Sequence, residues 1–260
     1  MISSNQNPKI KLARALAGRP KERRESEAFL AEGVRLVEEA FAADWPFRFV
    51  LYSDELSGRG EVLIKKLEDK KIDIENMESR LLQSLSETEA SQGIIAVLNY
   101  SPLPVPPASD FILILDSIRD PGNLGTLLRT ADAASVQAVL IPPETTDAFA
   151  PKVVRAGMGA HFRLPVQAMS WDEIHKCTKD LQVYIADMEG QSCWETDFKL
   201  PLALIVGGEA EGASKKARNL ANAFVKIPMA GKTESLNAAV AGSVLMFEVM
   251  RQRKFKHKGR

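Results

Sequence analysis

The chain has 260 residues, 45% of them hydrophobic, with 34 basic and 34 acidic side chains. Such a length and apolar content match a soluble globular protein with a real core in one large or two small domains, needing no covalent staples, and zero formal charge argues against a protein that coats nucleic acid by bulk electrostatics. Its two cysteines, Cys177 and Cys193, and three histidines, His161, His175 and His257, lack the short spacings of a zinc site, so a reduced chain without a metal is expected.

The first eight residues, Met1 to Pro8, carry no apolar signal-peptide core, and no stretch approaches the about 18 apolar residues of a membrane span. A cytoplasmic, membrane-free protein is expected. Next come Lys9, Lys11, Arg14, Arg19, Lys21, Arg23 and Arg24 with only Glu22 against them, and the far end carries Arg251, Arg253, Lys254, Lys256, Lys258 and Arg260. Both ends can reach phosphates, and both equally describe solubilising tails.

Helical spacing of apolar residues predicts helices over 33–43 and 60–71, and short apolar runs predict strands over 47–52 and 93–98, together a small α/β domain in 1–100. Prolines 102, 104, 106 and 107 then interrupt any regular element, which makes 101–109 a stiff linker and 110–260 a second domain. There the continuous apolar runs 111–115, 138–141, 183–186, 202–206 and 224–227 suit parallel strands buried on both faces. Ser170-Trp171-Asp172-Glu173 reads as a capping box, and 236–253 as a long last helix.

Three polar, glycine-bearing segments each follow one of these strands, where an open α/β sheet binds its ligands. In the first, residues 116–129, Asp116 ends a strand, Pro121-Gly122 turns, Asn123 is a candidate helix N-cap, and Gly125 leaves room beside Arg129. In the second, Gly207-Gly208-Glu209-Ala210-Glu211-Gly212, the glycines let a ligand approach the backbone, but Glu209 stands where a dinucleotide fingerprint needs glycine and would repel a pyrophosphate. In the third, residues 227–237, Gly231-Lys232-Thr233 fails as a phosphate loop because Lys226 occupies the position of the first glycine. Ser235-Leu236-Asn237 opens the last helix, whose small residues from Ala238 to Ser243 suit a core or a tight subunit interface. Taken singly, each segment equally describes an ordinary strand-to-helix turn.

Taken together, in this order and spacing, they resemble the three motifs of the SpoU (TrmH-type) branch of the SPOUT methyltransferases. Residues 152–166 are also similar, with Gly157 where serine is usual, and residues 23–35 are similar to the opening of the L30e-like substrate-binding domain of several rRNA-modifying members. The resemblance implies an α/β fold: a C-terminal α/β knot, a deep trefoil built on a parallel sheet, preceded by a small L30e-like domain. It implies methyl transfer from S-adenosylmethionine to a ribose 2′-hydroxyl of RNA, ribosomal RNA first, with a tRNA enzyme or a non-catalytic RNA-binding or ribosome-assembly protein as alternatives. It further implies a homodimer through the C-terminal domain, cofactor contacts at Gly207, Ile227 and Leu236, and catalytic polar positions at Asn123, Arg129, Glu209, Ser235 and Asn237. A guanidinium gives up its proton too reluctantly to be a good base, so Arg129 is expected to hold phosphate and polarise the 2′-oxygen, with Asn123 orienting it and Glu209 and Asn237 fixing the loops.

Overall fold

The computed structural model describes residues 1–86, 91–209, 212–233 and 235–254. Ala210, Glu211, Glu234 and the terminal Lys256, Lys258 and Arg260 lie outside them. In chain order the elements are α1 (Pro8–Gly18), α2 (Pro20–Glu25), β1 (Ala28–Glu32), α3 (Val34–Ala42), β2 (Phe47–Tyr52), α4 (Gly58–Asp69), β3 (Ile74–Asn76), α5 (Ser79–Gln83) and β4 (Ile94–Asn99). They continue with β5 (Phe111–Asp116), α6 (Pro121–Ala133), β6 (Ala138–Ile141), α7 (Pro151–Gly157), β7 (Val166–Ala168), α8 (Trp171–Thr178), β8 (Gln182–Ser192), β9 (Leu202–Gly207), α9 (Lys215–Leu220), β10 (Ala223–Lys226) and α10 (Ala238–Lys254). Two compact units result: Met1–Ser101 with Phe149–Phe162, and Pro102–Ala148 with Arg163–Arg260.

The first unit holds a mixed sheet in the order β1-β4-β2-β3. Its core takes Ile10, Ala13 and Leu16 from the inner stripe of α1, together with Leu30, Leu51 and Val97 from the strands. Phe149–Phe162, which sequence alone puts in the second half, belongs here because its aromatic residues pack here: the Phe149 ring lies 4.9 Å from Phe29 and the Phe162 ring 5.3 Å from Trp45. Two basic residues of the N-terminal arm are internal parts of the fold. Lys9 bridges Asp73 and Glu75 at 2.6 and 2.5 Å, and the buried Arg23 donates to the carbonyl of Leu16 at the end of α1.

The second unit is a six-stranded, wholly parallel sheet in the order β10-β8-β9-β5-β6-β7. The central strands β5 and β6 are buried along their whole length, as the continuous apolar runs require. The chain winds outward from β5 through β6 to β7, then returns so that β9 lies on the other side of β5. This reversal brings Asp116 and Gly207 side by side at the carboxyl ends of their strands, where a doubly wound sheet opens a crevice. β8 runs on to Ser192, well past its apolar run, because Gly190 lets β10 close in: a β-carbon there would stand 2.4 Å from the backbone of Phe224 and Val225.

Small residues let α10 pack against α6 within the subunit. Ala238, Ala239 and Gly242 are buried, and a β-carbon on Gly242 would meet Leu127 at 2.5 Å and Val206 at 3.2 Å. Ala238, Ala239 and Gly242 on this small-residue segment are therefore core. Farther along, the buried Glu248 accepts hydrogen bonds from Arg251 at 2.7 and 2.8 Å and from Gln252 at 2.7 Å, and Gln252 ties the helix to Thr196 and Phe198. Arg253 donates to the carbonyls of Phe198 and Asp110. The described basic residues at this end thus clamp the fold. The Arg251 hydrogen bonds hold the Glu248 carboxyl below its ordinary 4.5 despite burial, so its contribution to stability is present above the unfolded value and lost as pH falls through the folded one. Glu248→Gln should cost about 1.5–3 kcal/mol at neutral pH, the range for hydrogen bonds to a charged group, and should flatten the acid limb below 4.5. Urea unfolding from pH 3 to 7 checks both; an unchanged acid limb in the variant would exclude this carboxylate.

Among the described residues no helix is long and apolar enough to cross a membrane. Cys177 is exposed, Cys193 is buried, and both are free thiols.

Candidate active site

Three loops meet at the carboxyl end of the parallel sheet. The first leaves β5 and enters α6 through Asp120, whose carboxylate accepts the Asn123 N–H at 2.8 Å. Asp120 is therefore the N-cap, not Asn123. Proline at the first helical position, Pro121, sets the start of α6 one turn earlier than the sequence expectation, and this frees the Asn123 side chain. Gly125 is buried in α6 and does not open a surface beside Arg129.

The second loop leaves β9. A β-carbon on Gly207 would lie 2.4 Å from the Ala213 nitrogen, and one on Gly208 would lie 2.4 Å from the Ser117 carbonyl oxygen. The chain's own backbone fills the space that the sequence reading gave to a ligand. Asp116, almost fully buried, anchors the loop by accepting the Ser214 N–H at 2.6 Å, and Ser214 in turn caps α9.

The third loop runs from β10 to α10. Asn237 caps α10, its side-chain oxygen accepting the N–H groups of Ala239 and Val240 at 2.9 and 3.2 Å. Its amide nitrogen points the other way, to Glu209 at 2.8 Å and to the Asn123 side-chain oxygen at 3.1 Å. Asn123 closes the triangle by donating to the same Glu209 oxygen. One carboxylate thus holds two amides, and the three loops are locked to each other through Asn123, Glu209 and Asn237.

The remaining expected residues stand outside this triangle. Arg129 is exposed on α6 with no hydrogen bond or ion pair to described residues, and Asn123 does not orient it: both polar atoms of the Asn123 side chain go to Glu209 and Asn237. Ser235 is exposed, while Ile227 and Leu236 are half-buried at the two ends of the third loop. Among the described residues of 227–236, no backbone group hydrogen-bonds to the backbone of another described residue. Exposed main-chain donors and acceptors beside two half-buried apolar side chains suit a ligand held by backbone contacts.

A cleft of about 370 Å³ opens beside the triangle, lined by Ser117, Arg119, Asp120, Glu144, Gly208 and Lys215 as well as by Asn123 and Glu209. Sequence reasoning missed Glu144, which lies in a loop after β6 with no glycine or helix start to mark it.

A parallel sheet with a cleft and a polar triangle across three loops at its carboxyl end define an α/β protein of the kind that binds its ligand at the strand ends. Comparison with known proteins makes the class specific. The chain belongs to the SpoU rRNA Methylase family, whose model matches residues 110–247. An MRM3-like substrate binding domain matches residues 7–96. The 23S rRNA (uridine(2479)-2′-O)-methyltransferase of Streptomyces viridochromogenes is 32% identical over 96% of this chain and 92% of its own. The 23S rRNA (guanosine(2553)-2′-O)-methyltransferase RlmP of Bacillus subtilis is 32% identical over 95% of this chain and 98% of its own. The crystal structure of the SpoU methyltransferase AviRb from Streptomyces viridochromogenes, in complex with the cofactor AdoMet, superposes with a TM-score of 0.87 at 30% identity, covering 98% of this chain and all of the other.

Proposed function

We propose that this chain is an S-adenosylmethionine-dependent methyltransferase that modifies a ribose 2′-hydroxyl of ribosomal RNA. The observation that carries the reading is the Asn123-Glu209-Asn237 triangle, which joins the three strand-end loops beside the cleft. Two relatives alike over nearly their whole length are named as 23S rRNA 2′-O-methyltransferases.

The third loop fits the cofactor. Its exposed backbone groups and the half-buried Ile227 and Leu236 would hold the adenosine, with Gly207 setting the neighbouring loop. When bound, S-adenosylmethionine supplies a methyl group already activated on a sulfonium. The protein then has to align the ribose oxygen and ease loss of its proton. Arg129 grips the phosphate next to the target ribose through its planar guanidinium and polarises the 2′-oxygen. The triangle keeps the loops in register, and Ser235 offers a hydroxyl next to Leu236. The reading includes a trefoil threading of the last segments, a cytoplasmic location and a homodimer. Exposed Val240 and Phe247, two turns apart on α10, support the dimer.

The test is transfer of labelled methyl from S-adenosylmethionine to total rRNA and, separately, to total tRNA, each from cells lacking the protein, followed by nuclease mapping. Label at one rRNA position is expected. Label only in tRNA would move the substrate, and no label from a protein that also fails to bind the cofactor would remove the enzyme reading.

A further inference from the structure

The cleft beside the triangle has a rim that the methyl-transfer chemistry leaves unused. Glu144 lies on it in a left-handed conformation, φ 75°, and Ser117, which also lines the cleft, has φ 57°. Neither is glycine, so each backbone is strained, and such strain persists only where the surroundings enforce it. The surroundings are visible: the Thr145 hydroxyl donates to the Leu115 carbonyl at 2.7 Å, and the Thr146 N–H donates to the Ile118 carbonyl at 2.9 Å. Two hydrogen bonds thus pin the loop after β6 to the end of β5. They hold a carboxylate that is exposed and makes no hydrogen bond or ion pair with described residues. Arg119 and Lys215, also on the cleft wall, are likewise without such partners. Asp120 differs, because one of its oxygens is occupied as the cap of α6.

From this placement we infer that the cleft seats the target nucleobase, that the base is guanine, and that Glu144 reads its Watson–Crick edge. The inference rests on the ribose-methylation reading above. A carboxylate offers two acceptors side by side. Guanine alone among the four bases presents two adjacent donors on that edge, N1–H and the N2 amino group. Uracil sets one N–H between two carbonyls, which a carboxylate repels, while adenine and cytosine place a ring acceptor beside their amino group. Arg119 and Lys215 complete the match, because arginine or lysine pairs with O6 and N7 of guanine. Glu144 is thus a specificity-determining residue, and Asn123 and Glu209 on the shared wall bring the base close to the transfer site.

The test uses the full chain with total rRNA from cells lacking the protein, digestion to nucleosides and mass spectrometry of the 2′-O-methylated products. Methylation confined to 2′-O-methylguanosine is expected. A short RNA spanning the mapped site, made with guanosine or with inosine, which lacks the N2 amino group, then isolates the contact. Inosine should lower kcat/KM at least tenfold in the wild type and little further in Glu144→Gln. Glu144→Asn, a residue that tolerates left-handed backbone, keeps the loop conformation and should show the same loss of discrimination. A 2′-O-methylated product on uridine, cytidine or adenosine, or inosine accepted like guanosine, overturns the base assignment and leaves the enzyme reading intact. Absence of any 2′-O-methylated nucleoside overturns both.

Discussion

Arg129→Ala should lower single-turnover methyl transfer roughly 100- to 1000-fold, the usual result of removing one positioned charge-stabilising donor, while calorimetric binding of S-adenosylmethionine stays unchanged. The separation is expected because Arg129 is exposed and makes no hydrogen bond or ion pair with described residues, so its truncation removes nothing that holds the fold. Its neighbour Thr130 meets Ser243 across α6 and α10 at 3.1 Å, and that contact remains in the variant. Arg129→Lys keeps the charge but loses the planar fork that grips a phosphate through two bonds. It should fall between the wild type and the alanine variant. Near-normal turnover of the lysine protein would remove the need for a fork, and a loss of cofactor binding in Arg129→Ala would reassign the residue to the cofactor.

Breaking the triangle should have the next largest effect. Glu209→Ala leaves the Asn123 and Asn237 amides without their common acceptor, and the three loops lose the group that locks them together. A loss of roughly 10- to 100-fold in kcat/KM is expected, the size of one or two charge-assisted hydrogen bonds felt at the transition state. Glu209→Gln keeps one acceptor and should recover part of it. Because the three residues act as a unit, Glu209→Ala combined with Asn237→Ala should cost little more than the worse single change. Fully additive losses in that cycle would show that the side chains act independently.

Much of this was legible in the chain. Strands over 47–52 and 138–141 have the bounds that the apolar runs give, and the Ser170 capping box stands where its side chain can reach the N–H of Glu173. The departures have local causes. α1 is hidden because its buried stripe of Ile10, Ala13 and Leu16 is thin and set among lysines and arginines. β8 is too long for its apolar run because a glycine, not hydrophobicity, admits its partner strand.

By itself the sequence determined the parallel-sheet architecture of the second half, the strand-end position of the three polar segments, and the family motifs that they match. Those properties are local: they depend on side-chain periodicity and turn chemistry within a few residues. Only the tertiary structure decided which polar groups meet. Asn123 and Glu209 are 86 positions apart, Asn123 and Asn237 are 114 apart, and no periodicity reports such a contact. It also decided that Gly207 and Gly208 serve backbone packing, that the small-residue face of α10 is interior, and that Glu144 faces the cleft. Each of these follows from how the sheet reverses at β5 and β9, which sets the distances between loops far apart in the chain.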